Sequence, residues 1–173
     1  MTKHYLTLSL LLATASAFAQ NDTVVRWRQI VGTITAPGID NPVAIIKDGN
    51  GNITSAIHSA PGPWTAKEGS VHINLSTGSG SFEVEGLVLH GGNASGTPGA
   101  VNSIVGTLVC NPGTADQTIL DTPATALSPT GDAELSFRLA LPSTCSSPLF
   151  LVRAGVRWIA AGAVRTTVKS SDY

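Results

Sequence analysis

Hydrophobic and polar residues alternate along several short stretches of this chain. Residues 70–76 read SVHINLS, so that every second side chain is apolar. Residues 133–141 repeat the pattern, with leucine or phenylalanine at each odd position from 135 to 141. Because successive side chains of a strand point to opposite faces, this period of two predicts strands that bury one face.

Similar stretches recur along the chain at intervals of about 8 to 12 residues, and turns rich in glycine and proline separate them. No stretch shows the pattern of a long amphipathic helix, so the sequence predicts a single all-β domain, an antiparallel β-sandwich or β-barrel with one disulfide. The motifs VRWRQIVG and VRWIAAG, near the two ends of the chain, contain similar residue types, and pairing between them would close a barrel. The predicted strands cover residues 24–34, 43–47, 52–57, 70–76, 81–90, 101–109, 125–128, 133–141, 149–154 and 157–164.

The N-terminal segment predicts export from the cytoplasm. Lys3 precedes an apolar run over residues 5–12, and small residues follow up to Ala19. This order is typical of a signal peptide over residues 1–19, with a mature domain over residues 20–173 that is secreted to the extracellular space or the periplasm. The apolar run is too short to span roughly 30 Å of hydrocarbon.

The charge pattern predicts neither a nucleic-acid partner nor a transmembrane segment. The chain has 10 basic and 11 acidic residues, and no window concentrates the lysines and arginines as a nucleic-acid surface does. Near the C-terminus, Arg153, Arg157 and Arg165 interrupt the most apolar segment. Because each arginine is costly in lipid, no transmembrane segment is predicted after signal cleavage.

The chain contains two cysteines, Cys110 and Cys145. In an oxidising compartment such a pair forms a disulfide. If consecutive strands alternate in direction, both cysteines lie at the same end of the domain, as a bridge requires. Neither lies in a CxxC motif, so the sequence predicts no metal site, and no motif indicates a cofactor.

Two groups of polar and acidic residues resemble functional sites, but a structural role explains each of them better. The segment IIKDGNGNITSAI resembles a calcium loop, but with Gly51 at the glycine position the ligand positions fall on Ile46 and Ile57, which have no side-chain oxygen. A tight turn between two strands explains it better. Glu83 and Glu85 share one face of a strand, where exposed polar residues are expected without any acid–base chemistry.

Alternating strand directions place two long connections at one end of the domain, opposite the cysteines. They are HSAPGPWTAKEG from residue 58 and the glycine-rich loop over residues 91–100. Such loops on a rigid scaffold often bind ligands. The candidate binding residues are Trp64, His58, His90 and Asn93, with Trp64 either stacking on a sugar ring or packing on the core.

These features favour a non-enzymatic binding or cell-surface module that uses the loops at 58–68 and 91–100. Its partner is an unidentified ligand or surface, with carbohydrate as one candidate. A secreted enzyme with a site at the same loops, or a passive structural or matrix protein, are the alternatives. The sequence leaves open whether the four Asn-x-Ser/Thr motifs carry glycans, at Asn21, Asn52, Asn74 and Asn93.

Overall fold

A computed structural model describes residues 23–34, 42–47 and 53–169 of the chain. These residues form strands joined by turns and contain no helix, which confirms the all-β prediction. The predicted signal peptide, the proposed turn around Gly51 and the motifs at Asn21 and Asn52 lie outside the described residues. The strands are β1 Thr23–Gly32, β2 Pro42–Lys47, β3 Ile53–Ser59, β4 Trp64–Thr65, β5 Glu68–Asn74, β6 Ser79–Glu85, β7 Val88–Leu89, β8 Ser103–Cys110, β9 Thr118–Asp121, β10 Thr125–Ala126, β11 Ala133–Arg138, β12 Leu149–Ala154 and β13 Arg157–Lys169.

One large sheet curls into a half-barrel. Its strand order is β10-β8-β12-β13-β1-β5-β6-β11, β9 extends the edge of β8, and the β2–β3 hairpin joins the start of β13. Strands β4 and β7 form a separate two-stranded sheet. The curl brings β10 and β11, the two outer strands of this order, close together. Thr125 Oγ1 on β10 donates to the carbonyl oxygen of Glu134 on β11 at 3.3 Å.

The two similar motifs at the ends of the chain lie on neighbouring strands. Strands β1 and β13 pair antiparallel, from Thr23 opposite Lys169 to Gly32 opposite Ala160. The pairing that the motifs suggested is therefore present, but it joins the first and last described strands at the middle of the sheet and does not close a barrel.

Strand β3 corrects the assumption that consecutive strands alternate in direction. It pairs parallel to β13, with His58 opposite Arg157 and Ser59 opposite Trp158. It therefore runs in the same direction as β5, which is antiparallel to β1. Only the last two residues of β3 pair with β13, and they pair with its first two residues. The rest of β3 therefore lies past the end at which β13 begins, rather than along the sheet.

The predicted strand over residues 81–90 is divided between two sheets. Strand β6 ends at Glu85, and β7 pairs with β4 instead. The division occurs at Gly86, whose φ of 62° suits glycine and turns the chain out of the sheet. The Gly86 amide donates to Asp132 Oδ1 at 2.9 Å, and the Leu87 amide donates to the Gly131 carbonyl at 2.8 Å, so both bonds hold the bend.

Aromatic rings fill the inside of the curl. Phe150 lies 5.8 Å from Trp27 and 5.7 Å from Phe82, measured between ring centroids, and all three side chains are buried. A glycine is required beside them, because a Cβ atom on Gly106 would lie 2.6 Å from Phe150 Cζ. Strands β1, β6, β8 and β12 thus meet around one aromatic core.

The sheet has two distinct ends, which we name the loop end and the disulfide end. The loop end contains Arg157, the first residue of β13, together with His58 opposite it. The disulfide end contains Cys110, the last residue of β8. Cys110 is bonded to Cys145 with their Cα atoms 4.6 Å apart, so the predicted disulfide is confirmed.

Candidate functional site

The structure brings together the two loops that the sequence places at one end. Trp64 pairs with Leu89 across β4 and β7, and the His90 amide donates to the Pro63 carbonyl at 3.0 Å. His58 lies at the same loop end, opposite Arg157. The side-by-side placement follows the prediction, whereas a ligand-binding role for these residues stays a prediction.

The glycine-rich loop is a set of short turns that bond to one another. The Gly91 amide donates to Ser95 Oγ at 3.0 Å, and the Gly96 amide donates to the Leu89 carbonyl at 3.0 Å. Gly96 has a φ of 82°, a left-handed conformation that favours glycine. His90 and Asn93 are exposed at the surface of this loop. The loop is therefore ordered by its own backbone and presents two polar side chains to solvent.

Trp64 belongs to the hydrophobic core. Its side chain is 6% exposed, and its backbone amide donates to the Thr33 carbonyl at 2.9 Å. Its carbonyl lies so close to β1 that a Cβ atom on Gly32 would be 2.1 Å from the Trp64 oxygen. So deeply buried a ring presents little surface to a sugar, and we assign Trp64 a packing role, the second of the two roles that the sequence allows.

A cleft of about 650 Å³ opens on the outer face of the sheet at the loop end. One wall is the second half of β1 together with Ile34, which follows the strand, and the other is the chain from Trp64 to Ser70. Glu83 and Glu85 of β6 line it as well. The cleft therefore shares residues 64–68 with the first predicted binding loop, but it lies on the strands beside that loop.

The cleft forms where β1 separates from β5. The ladder between these strands ends at Trp27 opposite Val71. Buried positions on β1 then change phase, from Val25 and Trp27 to Ile30. Ile30 packs on Gly69, where an added Cβ atom would lie 2.9 Å from Ile30 Cβ. Beyond the end of the ladder, the cleft opens between the second half of β1 and the start of β5.

Val164 on β13 lies beside the point at which β1 changes phase. Its φ is 52°, which is an outlier for a β-branched residue. The register of β1 and β13 continues on both sides, with Trp27 opposite Arg165 and Gln29 opposite Ala163. The irregularity is therefore local, and it coincides with the change of inward-facing positions on β1.

Charged side chains line the cleft, and carboxylates outnumber cations by one. Ser70 Oγ donates to Glu83 Oε1 at 2.9 Å, and Lys67 Nζ lies 3.5 Å from Glu85 Oε2. Glu68 lies directly opposite Glu85 on the neighbouring strand. Together with Arg28, these residues place three carboxylates and two cations around the cleft.

A second pair of carboxylates continues the acidic surface across the sheet. Glu134 on β11 lies directly opposite Glu83 on β6. Like charges opposite each other on neighbouring strands are destabilising. Two such pairs, Glu68 with Glu85 and Glu83 with Glu134, therefore share one exposed face.

Sequence reasoning found only part of this site. Glu83 and Glu85 stand out in the sequence as a pair on one strand face, and Lys67 and Glu68 lie in the predicted binding loop at 58–68, whereas Arg28 and Ser70 do not stand out. The alternation of β5 does predict that Glu68 and Ser70 face outward. The strands predicted at 70–76 and 81–90 follow each other in the chain and pair as the hairpin of β5 and β6, whereas the position of β1 beside β5 cannot be read from the sequence.

Neither a metal-holding group of side chains nor a membrane-spanning helix occurs among the described residues. Within residues 23–34, 42–47 and 53–169, no group of three or more histidine, cysteine, aspartate or glutamate side chains is arranged to hold a metal ion. In the same residues no helix is long and apolar enough to cross a membrane. Comparison of the chain with protein-family models, curated proteins and solved structures found no match.

Proposed function

We propose that this chain is an exported, non-enzymatic binding domain whose cleft receives a basic peptide segment of a partner. The observation that carries the proposal is the cleft itself, which opens at the loop end between β1 and the outer face of β5 and β6. Its volume of about 650 Å³ lies within the range of typical ligand sites. A few residues of an extended peptide are of suitable size for such a space.

Charge supports a basic ligand. Lysine or arginine side chains in the cleft would lie beside Glu68, Glu83 and Glu85 and would relieve the repulsion between the opposed carboxylates. Lys67 already neutralises part of the charge on Glu85, at an exposed position where such an ion pair is weak. A cationic ligand therefore replaces weak or unfavourable interactions with favourable ones.

The wall formed by β1 adds an apolar surface to the cleft. Val31 is 46% exposed and Ile34 is 90% exposed, and both line it. Exposed apolar side chains beside polar groups are typical of interaction sites. They suit a peptide whose basic residues alternate with apolar ones, because successive side chains of an extended peptide point to opposite sides.

Export is supported by the N-terminal pattern and by the disulfide. Residues 1–19 have the order of charged, apolar and small residues that is typical of a signal peptide. The two cysteines of the chain are joined in the structure, and disulfides persist in oxidising compartments. Both observations favour a protein that acts outside the cytoplasm.

The test is calorimetric titration with three probes, which are amidated pentalysine, pentaglutamate and cellopentaose. We expect pentalysine to bind and pentaglutamate not to bind. Replacing Glu83 or Glu85 by glutamine should weaken pentalysine binding, and raising the salt concentration should weaken it further, because exposed charges are screened. Asp116→Asn, an exposed substitution at the disulfide end, is the matched control and should leave the affinity unchanged.

Two results would contradict the proposal. Equal affinities for pentalysine in the Glu83, Glu85 and Asp116 variants would show that the cleft is not the binding site. Binding of cellopentaose in the absence of pentalysine binding would replace the basic peptide with a carbohydrate, the ligand class that the sequence analysis considered.

A further inference from the structure

Asn111 connects the two chain segments that carry the cysteines. It follows Cys110 directly and is 8% exposed. Its backbone amide donates to the Ser146 carbonyl at 3.0 Å, and its Oδ1 accepts from the Ser146 amide at 2.8 Å. Its Nδ2 donates to the carbonyl oxygens of Thr144 at 3.0 Å and of Asp116 at 3.3 Å.

These hydrogen bonds lie on both sides of Cys145, because Thr144 precedes it and Ser146 follows it. None of them involves a sulfur atom. They fix the position of Cys145 relative to Asn111, and therefore relative to Cys110. The alignment of the two cysteines thus has a source that is separate from the covalent bond.

The backbone of Asn111 also suits this role. Its φ is 52°, in the left-handed region, where asparagine is more common than other residues apart from glycine. The side-chain amide uses both its oxygen and its nitrogen in the hydrogen bonds described above. Asparagine therefore meets two requirements at this position, the backbone conformation and the set of donors and acceptors.

We propose that Asn111 is a positioning residue for disulfide formation, and that its hydrogen bonds form before oxidation and hold the two thiols together. With oxidised glutathione as the oxidant, the more accessible Cys145 thiolate attacks one glutathione sulfur and releases one reduced glutathione. The buried Cys110 thiolate then attacks Cys145 Sγ and releases the second glutathione as a thiolate. Two protein thiols lose their protons, and their two electrons reduce one oxidised glutathione to two reduced molecules.

The order of the two steps follows from burial. Cys110 is 0% exposed, whereas Cys145 is partly exposed. A soluble oxidant therefore reaches Cys145 first. The step that depends on Asn111 is the second one, because it requires the two cysteines of the same molecule to meet.

The test measures how fast the mixed disulfide at Cys145 closes to the Cys110–Cys145 bond, with mass spectrometry of acid-quenched samples of reduced protein. Asn111→Gly is the variant to use, because glycine accepts the left-handed backbone while the side-chain bonds are lost. We expect closure in native buffer to slow by about fivefold or more, the effect of losing at least one net hydrogen bond. In concentrated urea the variant and the original protein should close at the same rate.

Two controls separate positioning from general loss of stability. Asn93→Gly replaces an exposed asparagine at the loop end and should not change the rate. Thr107→Val removes a buried hydroxyl that donates to Asp121, and it should destabilise the fold without slowing closure. Equal closure rates of Asn111→Gly and the original protein in native buffer, or slowing of equal size in urea, would overturn the proposal.

A second measurement remains decisive if Asn111→Gly does not fold. In the doubly substituted Cys110→Ala, Cys145→Ala protein, hydrogen exchange of the Asn111 and Ser146 amides reports whether the hydrogen bonds form without the disulfide. We expect both amides to be protected from exchange. Exchange at the rate of an unstructured chain would show that the hydrogen bonds depend on the disulfide, and the proposal would then be wrong.

Discussion

Replacing Trp64 by alanine distinguishes a packing residue from a ligand-stacking residue. Its side chain is 6% exposed, within the core cluster. Loss of a buried tryptophan removes its transfer free energy and leaves a cavity, and together these cost about 3 to 5 kcal/mol. For a domain of this size the melting temperature should fall by roughly 6 to 20 °C. Differential scanning calorimetry and urea unfolding both measure this change.

The control for Trp64→Ala is His90→Ala at the same end of the sheet. His90 is exposed, and an exposed substitution of this kind should change the unfolding free energy by no more than about 0.5 kcal/mol. An unchanged melting temperature of Trp64→Ala, together with lost binding of a carbohydrate, would refute the reasoning. Trp64 would then act at the surface, and the burial argument would fail.

Three further predictions concern the stability of the fold. Substituting alanine for Cys110 and Cys145, which are 35 residues apart, should lower the free energy of unfolding in urea by about 4 kcal/mol, as the entropy of the closed loop predicts. An unchanged urea midpoint would contradict this. Gly106→Ala should cost about 1 to 3 kcal/mol by overpacking, because the added Cβ atom meets the buried Phe150 ring, and a neutral effect in the same assay would contradict it. Hydrogen bonds from Thr130 and from the Gly86 amide lower the pKa of Asp132, so Asp132→Asn should lower the melting temperature at neutral pH. The difference in melting temperature between the variant and the original protein should shrink as the pH falls below about 4, where the carboxyl of the unfolded chain is protonated. A difference that grows on acidification would contradict that sign.

Alternation of apolar residues was enough to predict most of the sheet. The strand at Leu149–Ala154 coincides with the prediction, and the first and last described strands, whose similar motifs suggested that they could pair, lie side by side. The sequence missed β9, Thr118–Asp121, which lacks a clear alternating pattern and pairs along the edge of β8. It also missed the two-residue strand at Trp64, which is too short to show any period.

The candidate site depends on features that the sequence did not predict. The change of phase between Trp27 and Ile30 is visible in the sequence only as a break in alternation, and its consequence depends on β5 lying beside β1. The pairing of Glu83 with Glu134 joins residues that are far apart in the chain. Such contacts are tertiary, and a local pattern of hydrophobic residues contains no information about them.

The burial of Trp64 could not be predicted from the local sequence either. The sequence places this aromatic residue in a polar loop, where both a stacking role and a packing role are reasonable. The structure favours the packing role because Trp64 is 6% exposed and belongs to the hydrophobic core cluster. Burial is therefore the property that local sequence reasoning left open.

We propose that the cleft between β1 and the outer face of β5 and β6 is the binding site. A titration of isotope-labelled protein with amidated pentalysine, followed by nuclear magnetic resonance of the backbone amides, tests it most directly. We expect the largest shifts at residues 28–32, 65–70 and 83–85, and we expect them to be smaller in the Glu83→Gln variant at the same peptide concentration. Shifts that concentrate in the loop over residues 91–100, or a spectrum that does not change, would contradict it.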